Sequence, residues 1–476
     1  MTILEHPLGR IRGVVNNNVS EYLGLQYATL ADQFAPPVLK DLHGDIDATS
    51  YGPTVTAPDE CAAEFGLIQQ DLPHSPFKQC ITEGLSLNIV VPQTQDKKSL
   101  PVLVFLHGGG LATGSANWPQ NHISNLISLS NELGMPVVGV SVNYRVGPTG
   151  FLTSQELRDA GVKPNNGLRD QRVALEWIQR NIHGFGGDSG NITLVGHSAG
   201  GASGTYHLSS EKPLFKRLAC LSGQFLAVQP LPPAVHEHFY AETIRMLGLE
   251  NAAPEERVSQ LKKLSPEDLA KVSVFPSRPL VDGEVCTMAP SYKCIEDGIP
   301  EALHGGWCES ILIGDCQFDG TILALALDHR KENIGNAFAS FIEKGLADLP
   351  EVAAQLLSSY EIQDGQDDEA LRNILRLAND LVFYAPSMCL AQAWKSSSAY
   401  VYQFNQANPW QGRWQGEACH ITDLTALLQN YTGLLPEENK AVGREYAADI
   451  LAFASGKAPW EAFKADNNPF IRNGFI

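Results

Sequence analysis

Residues 194–201 read Leu-Val-Gly-His-Ser-Ala-Gly-Gly, and within them Gly196-His197-Ser198-Ala199-Gly200 fits the pattern G-x-S-x-G. The flanks give this pentapeptide its meaning. Asn191-Ile192-Thr193-Leu194-Val195 before it is β-branched and apolar, which suits a buried strand. The residues after it, 199–204, are small, so a helix can begin close against that strand. A serine on so sharp a strand-to-helix turn is strained, with its hydroxyl pushed outward and the next backbone N–H aimed at the same point. That placement suits a nucleophile that attacks a carbonyl carbon and forms a covalent intermediate.

Such a serine needs donors for the oxyanion it creates and a base to take its proton. His107-Gly108-Gly109-Gly110 directly follows an apolar run at 102–106. Glycines there let the backbone approach a reacting oxygen and turn its N–H groups inward, with the Ala199 N–H as a further donor. Losing one such donor typically costs about 2.7–4 kcal/mol of transition-state stabilisation. His420 is the only histidine after His329, and it stands in a loop at 416–424. It is therefore the candidate base. The orienting carboxylate is expected beyond an apolar run at 310–314, where Asp315 and Asp319 both qualify.

These side chains must be held by a sheet. Short strands are expected at 11–15, 22–25 and 85–91, the last alternating and ending at Pro92. Residues 102–106 and 137–142 are apolar almost throughout, as strands buried on both faces of a parallel sheet must be. Helical spacing at 170–182 then leads into the serine strand. Strand, helix, strand in this order predicts βαβ units and an α/β, doubly wound, mostly parallel sheet with helices on both faces. Residues 225–390 read as mostly helical insertions near the top of the sheet, with helices at 254–264, 266–272 and 349–360. A strand at 399–404 and an amphipathic helix at 440–454 close the pattern. No repeat or linker divides residues 1–476, which predicts a single catalytic domain.

Composition narrows the function classes. Apolar residues make up 43% of the 476 and charged residues 18%, enough apolar content for a large core. The 34 Lys+Arg against 53 Asp+Glu leave a formal charge of −19, which opposes nucleic acid and anionic membranes. The N-terminus has no basic start or long apolar stretch, and no run approaches the ~20 apolar residues of a bilayer span. Nine scattered cysteines form no metal-type C-x-x-C pair. Mostly free thiols in a reducing, cytoplasmic setting are expected, with Cys61 and Cys80 as one candidate local pair. His236-Glu237-His238 reads as the solvated face of a polar stretch rather than a metal site. No metal or organic cofactor is expected, and the oligomeric state is open.

With these residues in place, the chain resembles the type-B carboxylesterases, the α/β-hydrolase family that includes cholinesterases and fungal lipases. The resemblance runs over nearly the whole length. It is carried by Asn166-Gly167-Leu168-Arg169-Asp170-Gln171, Leu175-Glu176-Trp177-Ile178, Phe185-Gly186-Gly187-Asp188 and the serine turn, with further blocks at 107–110, 143–152, 221–223, 281–283, 314–320 and 418–424. It implies a serine carboxylic-ester hydrolase, similar to fungal-type intracellular members, acting on a small or medium-sized ester. It places the oxyanion-hole glycines on Gly109 and Gly110 with Ala199 as third donor, ranks Asp319 above Asp315 as the acid, and marks Ser222 as a hydrogen-bonding helper or a turn cap.

Four departures stand out. His197 occupies the position before the serine where the family usually has Glu, and its side chain is expected to point away from the substrate. Asp319 stands for the usual Glu. The early family disulfide would fall on Val55 and Gly84, and the second has no matching cysteines near 247–265. The chain is also shorter than many relatives, without the secretion signal common among them. An acyltransferase, lactonase or cyclase using the same acyl-enzyme is the alternative reading. A non-catalytic binding protein is opposed by the complete set of reactive residues.

Overall fold

The structure, a computed structural model, describes residues 1–464 except 8, 58–60, 95–98, 275, 299–305, 363–366 and 395–397. The strands that matter are β1 (Thr2–His6), β2 (Gly9–Asn16), β3 (Val19–Gln26), β4 (Ser86–Pro92), β5 (Leu100–Leu106), β6 (Val138–Val142), β7 (Gly187–His197), β8 (Arg217–Leu221), β9 (Ser310–Cys316) and β10 (Ser398–Phe404). They lie in one sheet in the order β1-β2-β3-β4-β6-β5-β7-β8-β9-β10, with Ile46–Asp47 paired beside β2. The pairs from β1 to β4, and β4 with β6, are antiparallel. From β6 to β10 every pair is parallel.

Alternation along β5 shows why the sheet must be covered twice. Val102, Val104 and Leu106 enter one core with Leu168, Leu175, Trp177 and Ile178 of helix α1 (Asn166–Asn181). Leu103 and Phe105 enter a second core with Leu126 and Ile127 of the helix Ser124–Glu132, and with Ile450 and Leu451 of the helix Glu437–Ala454. Both faces of the strand are therefore dry. This is the doubly wound α/β arrangement expected from the near-continuous apolar runs.

Two details differ from the sequence reading. β4 is buried at six of its seven positions rather than alternating, because the helix Ser124–Glu132 covers the face that would otherwise meet water. β8, completely buried between β7 and β9, was not expected. Its five residues begin with a charge, and the strand becomes legible only once Arg217 is seen to bond Thr193 Oγ1 at 3.1 Å and the Ala454 carbonyl at 3.0 Å.

The expected insertion at 225–390 packs as two separate apolar groups. Helices Pro233–Met246, Pro254–Leu261 and Pro266–Val272 share a core with Phe34 and Leu157. Helices Ile334–Gly345, Pro350–Ser359 and Asp367–Asn379 pack around Phe318 and Trp414, beside the end of β9. Only the second group borders the loop that carries Asp319.

A buried ion pair ties α1 to the loop after β6. Arg145 Nε and Nη2 donate to Asp170 Oδ2 and Oδ1 at 2.8 and 2.7 Å, and Arg145 Nη1 reaches the carbonyls of Gln33 and Ala35. Both side chains are at most 2% exposed. Removing one charge strands the other in a dry interior, so Asp170→Asn is expected to lower the unfolding free energy by about 3–5 kcal/mol, measured by urea denaturation.

Candidate active site

β5 and β7 pair in register with Gly196 opposite Leu106, so the loops that leave their C-terminal ends emerge side by side. The strand order reverses here: β6 lies on one side of β5 and β7 on the other. Crevices at such a reversal are where open α/β sheets bind ligands. The loop after β5 carries Gly109 and Gly110, and Ser198 follows β7 immediately.

Ser198 has φ 54° and ψ −122°, a conformation a serine adopts only when its surroundings impose it. Its N–H is bonded to the Leu221 carbonyl at 2.8 Å, and the helix Ala199–His207 starts at the next residue. A Cβ at Gly200 would stand 2.1 Å from the Leu106 carbonyl oxygen, so only glycine allows the helix so close to β5. Gly109 has φ 100°, and a Cβ there would meet the Thr113 carbonyl at 2.2 Å. The Gly109 carbonyl accepts from the N–H groups of Ala112 and Thr113, and so is turned into its own loop. Among the described residues, no hydrogen bond consumes the N–H of Gly109, Gly110 or Ala199. Three donors thus remain available near Ser198.

Ser198 Oγ lies 3.0 Å from His420 Nε2, and His420 Nδ1 lies 2.6 Å from Asp319 Oδ1. With its proton on Nδ1, the imidazole donates to Asp319 and accepts from the serine. Asp319 is fully buried, and its Oδ2 accepts the Cys316 N–H at 2.7 Å. The acid and base loops are joined directly. The Phe318 N–H donates to the Ala418 carbonyl at 2.9 Å, and the His420 N–H donates to Thr321 Oγ1 at 3.1 Å.

Asp315, the other candidate acid, makes no hydrogen bond to His420. It is 2% exposed, and its Oδ2 has no hydrogen-bond partner among the described residues. Burial first, then the carboxylates of Asp319, Asp423 and Asp380, push its carboxyl far above the usual range and favour the neutral form.

Behind Ser198, His420 and Asp319 lies a network that the sequence did not suggest. Asp423 Oδ2 accepts the hydroxyls of Ser222 and Tyr402, each at 2.8 Å. His197 Nε2 stands 3.3 Å from Asp423 Oδ1, without hydrogen-bond alignment. The His197 ring lies 5.1 Å from that of His420. His197 therefore turns toward Asp423 with only 1% of the residue exposed, and it is among the residues bordering the cavity beside Ser198. Ser222 serves Asp423 rather than the proposed base. Asp423 stands three residues after His420 in the first turn of the helix Thr422–Leu428, and that spacing is the one signal that was available for it. Burial opposes both charges of this pair. Even so, Asp423 holds His197 above the usual imidazole range, while His197, Tyr402 and Ser222 hold Asp423 below the usual carboxylate range.

A cavity of about 230 Å³ opens beside Ser198. Its apolar walls are Leu67, Trp118, Ile322 and Leu325, and Glu64 is its acidic wall residue. Among the described residues, those just after Ser222 do not line it. The helix Cys61–Ile68, which brings Glu64 and Leu67, carried no such expectation.

Other sequence features resolve simply. His236 is buried against the Pro279 carbonyl at 3.3 Å and His238 is exposed, so the two share no face and the solvated-face reading fails for His236. No two of the nine cysteines are joined. Cys61 Sγ faces Gln120 Oε1 at 3.7 Å, and Cys80 Sγ lies 4.0 Å from Thr82 Oγ1, so the candidate pair is not made. Among the described residues, no helix is long and apolar enough to cross a membrane.

The carboxylesterase family model matches residues 1–471. Lipase 3 of Yarrowia lipolytica is 26% identical, over 94% of this chain and 87% of its own length. The para-nitrobenzyl esterase of Bacillus subtilis is 27% identical, over 91% and 84%. A carboxylesterase structure from Geobacillus stearothermophilus superposes with a TM-score of 0.79 at 25% identity, covering 99% of this chain and 96% of its own.

The His197–Asp423 pair carries a pH signature. The depressed Asp423 contributes stability above its unfolded value, about pH 4, and loses it as pH falls toward the folded value. The raised His197 contributes fully below its unfolded value, about pH 6.5, and loses its share as pH rises through the folded value. Asp423→Asn is therefore expected to cost most, about 3–5 kcal/mol, between about pH 5 and 6.5. Urea denaturation across pH should show that gap narrowing on both sides.

Proposed function

This chain belongs to the carboxylesterase family and is a serine ester hydrolase, and from that premise we propose that Ser198, His420 and Asp319 are its catalytic triad. His420 Nε2 takes the Ser198 proton as Oγ attacks the ester carbonyl, and Asp319 holds the imidazole in the required tautomer and stabilises the imidazolium. The oxyanion rests on the N–H groups of Gly109, Gly110 and Ala199. Collapse of the tetrahedral intermediate breaks the C–O bond, and His420 returns its proton to the departing alcohol. Water, deprotonated by the same imidazole, then attacks the acyl carbonyl; the acyl–Oγ bond breaks, His420 returns the proton to Ser198 Oγ, and the acid leaves. The observation that carries the reading is the continuous line from Ser198 Oγ through His420 to Asp319, at 3.0 and 2.6 Å.

Ser222 is assigned to the support of Asp423 rather than to the reacting atoms. The reading takes residues 1–476 as one catalytic unit, supported by the single sheet that joins β1 to β10. A reducing, intracellular setting like that of fungal-type members is supported by nine cysteines present as thiols. The cavity, small beside the roughly 300–1,000 Å³ of drug-sized ligand sites, favours short acyl and alcohol groups.

Three experiments test this. Ser198→Ala should abolish fluorophosphonate labelling and lower p-nitrophenyl ester turnover about a thousandfold or more. Asp319→Asn should lower kcat by about 10⁴ while Asp315→Asn keeps most of the rate, and the reverse ranking would overturn the assignment. In a p-nitrophenyl series from acetate to laurate, kcat/KM should peak at the short esters, and a maximum at laurate would contradict the proposed substrate size.

A further inference from the structure

A half-buried guanidinium beside the oxyanion loop lacks a counter-charge. Arg278 Nη1 donates to the Ser277 carbonyl at 3.0 Å and to the Gly110 carbonyl at 3.4 Å. Its Nε and Nη2 donate to none of the described residues, and no carboxylate among them forms an ion pair with it. Arg145 and Arg169, also shielded from water, are matched instead: they hold Asp170 at 2.7 Å and Asp282 at 2.8 Å. The backbone after Arg278 is clamped. The Pro279 carbonyl accepts the Leu231 N–H at 3.0 Å, and the Leu280 N–H donates to Asn165 Oδ1 at 2.8 Å. The guanidinium is thus held in place by one nitrogen and left open along its other edge.

Burial lowers the Arg278 pKa, and the group that opposes this fall is the Tyr206 phenol. That phenol is no counter-ion. It donates to the Val228 carbonyl at 2.7 Å, and burial keeps it neutral by holding its pKa far above the usual range. A shielded charge is ordinarily paired, and a guanidinium does not escape the cost by losing its proton. The open Nε–Nη2 edge has the geometry that grips a carboxylate through two parallel hydrogen bonds. A Cβ at Gly110 would meet nothing within 4 Å, so free space adjoins the same loop. The departing alcohol must lie at His420 Nε2, which protonates it. Arg278 bonds Gly110 and Ser277, not His420 or the Asp319 and Phe383 that touch that imidazole, and so it serves the acyl side. Glu64, the acidic residue of the cavity, faces His197 and His420 rather than Arg278.

We propose that Arg278 is an anion subsite on the acyl side of the reacting carbonyl, and that the preferred substrates are hemiesters of short dicarboxylic acids. The free carboxylate accepts from Arg278 Nε and Nη2 while the ester carbonyl rests on Gly109, Gly110 and Ala199. The formal charge of −19 repels such anions from the protein as a whole, so a preference for them can only be local. This assignment rests on the serine-hydrolase reading above, whereas the converse does not hold.

The test uses pairs of esters that match in size and differ in charge. Monoethyl succinate, glutarate and adipate are each compared with the neutral monoamide of the same length, by the ethanol released. For at least one length the hemiester should have the higher kcat/KM by about tenfold or more. Arg278→Gln should remove that advantage and, under the repulsion of the remaining charge, bring the ratio below one. Arg278→Lys, which keeps the charge but not the fork, should retain part of it. An arginine that merely braces the Gly110 loop would slow both members of a pair alike. A wild-type ratio of one or less at every length, or a ratio that Arg278→Gln leaves unchanged, overturns the proposal. Unreactive ketones give a reading on the wild-type enzyme alone. 5-Oxohexanoate should inhibit p-nitrophenyl acetate hydrolysis about tenfold more tightly than 5-oxohexanamide, and equal inhibition by the two also overturns it. Failure of the hydrolase reading is distinct: fluorophosphonate would not label Ser198, and p-nitrophenyl acetate would not turn over.

Discussion

The sharp bend at Ser198 is the constraint around which the rest of the molecule is arranged. A non-glycine residue held at φ 54° and ψ −122° stores about 1–3 kcal/mol of strain, which the surrounding packing must over-determine. β7 supplies one fixed end of the bend, and the helix Ala199–His207 supplies the other, pressed so close to β5 that Gly200 admits no side chain. The bond from the Ser198 N–H to the Leu221 carbonyl recruits β8 to the same task. The strain is sustained because three parallel strands with a dry core on each face leave the backbone no alternative path.

Charge is handled around that bend in layers. Closest to the serine, His420 and Asp319 form a hydrogen-bonded pair whose loops are stitched together by backbone bonds. Behind them, Asp423 collects two hydroxyls and the His197 imidazole, which places a second imidazole–carboxylate pair within one ring spacing of the first. Asp315, its Oδ2 unpartnered among the described residues and crowded by carboxylates, is driven toward its neutral form, so the region avoids another buried charge. Glu64 is the acidic group that faces the open cavity. His197 and Asp319, the two positions where the resemblance implied Glu, belong to one electrostatic arrangement: both Asp423 and Asp319 favour the charged form of the His197 imidazole.

Much of this was legible from the chain alone because it depends on local chemistry. The serine turn announces itself by small residues after an apolar strand, the glycine loop by its place after another, and His420 by being the last histidine. Where legibility failed, the cause was long-range packing. β8 begins with a charged residue whose partners are 24 and 237 positions away. The choice between Asp315 and Asp319 turns on which carboxylate meets an imidazole about a hundred residues downstream. Family resemblance ranked the two, but the contact itself is a property of two loops joined across the sheet edge.

From the sequence by itself follow the α/β class, the order of the βαβ units, the nucleophile turn and the short list of its partners, because strand burial and turn chemistry are written in neighbouring residues. Tertiary structure alone decided that Asp319 rather than Asp315 orients toward His420, that Ser222 and Tyr402 serve Asp423, and that Glu64 enters the cavity wall. Each of these depends on side chains from distant segments meeting in space with a definite separation and burial. Periodicity and motif spacing carry no information about such meetings, since the electrostatics of a buried group are set by what the fold brings beside it.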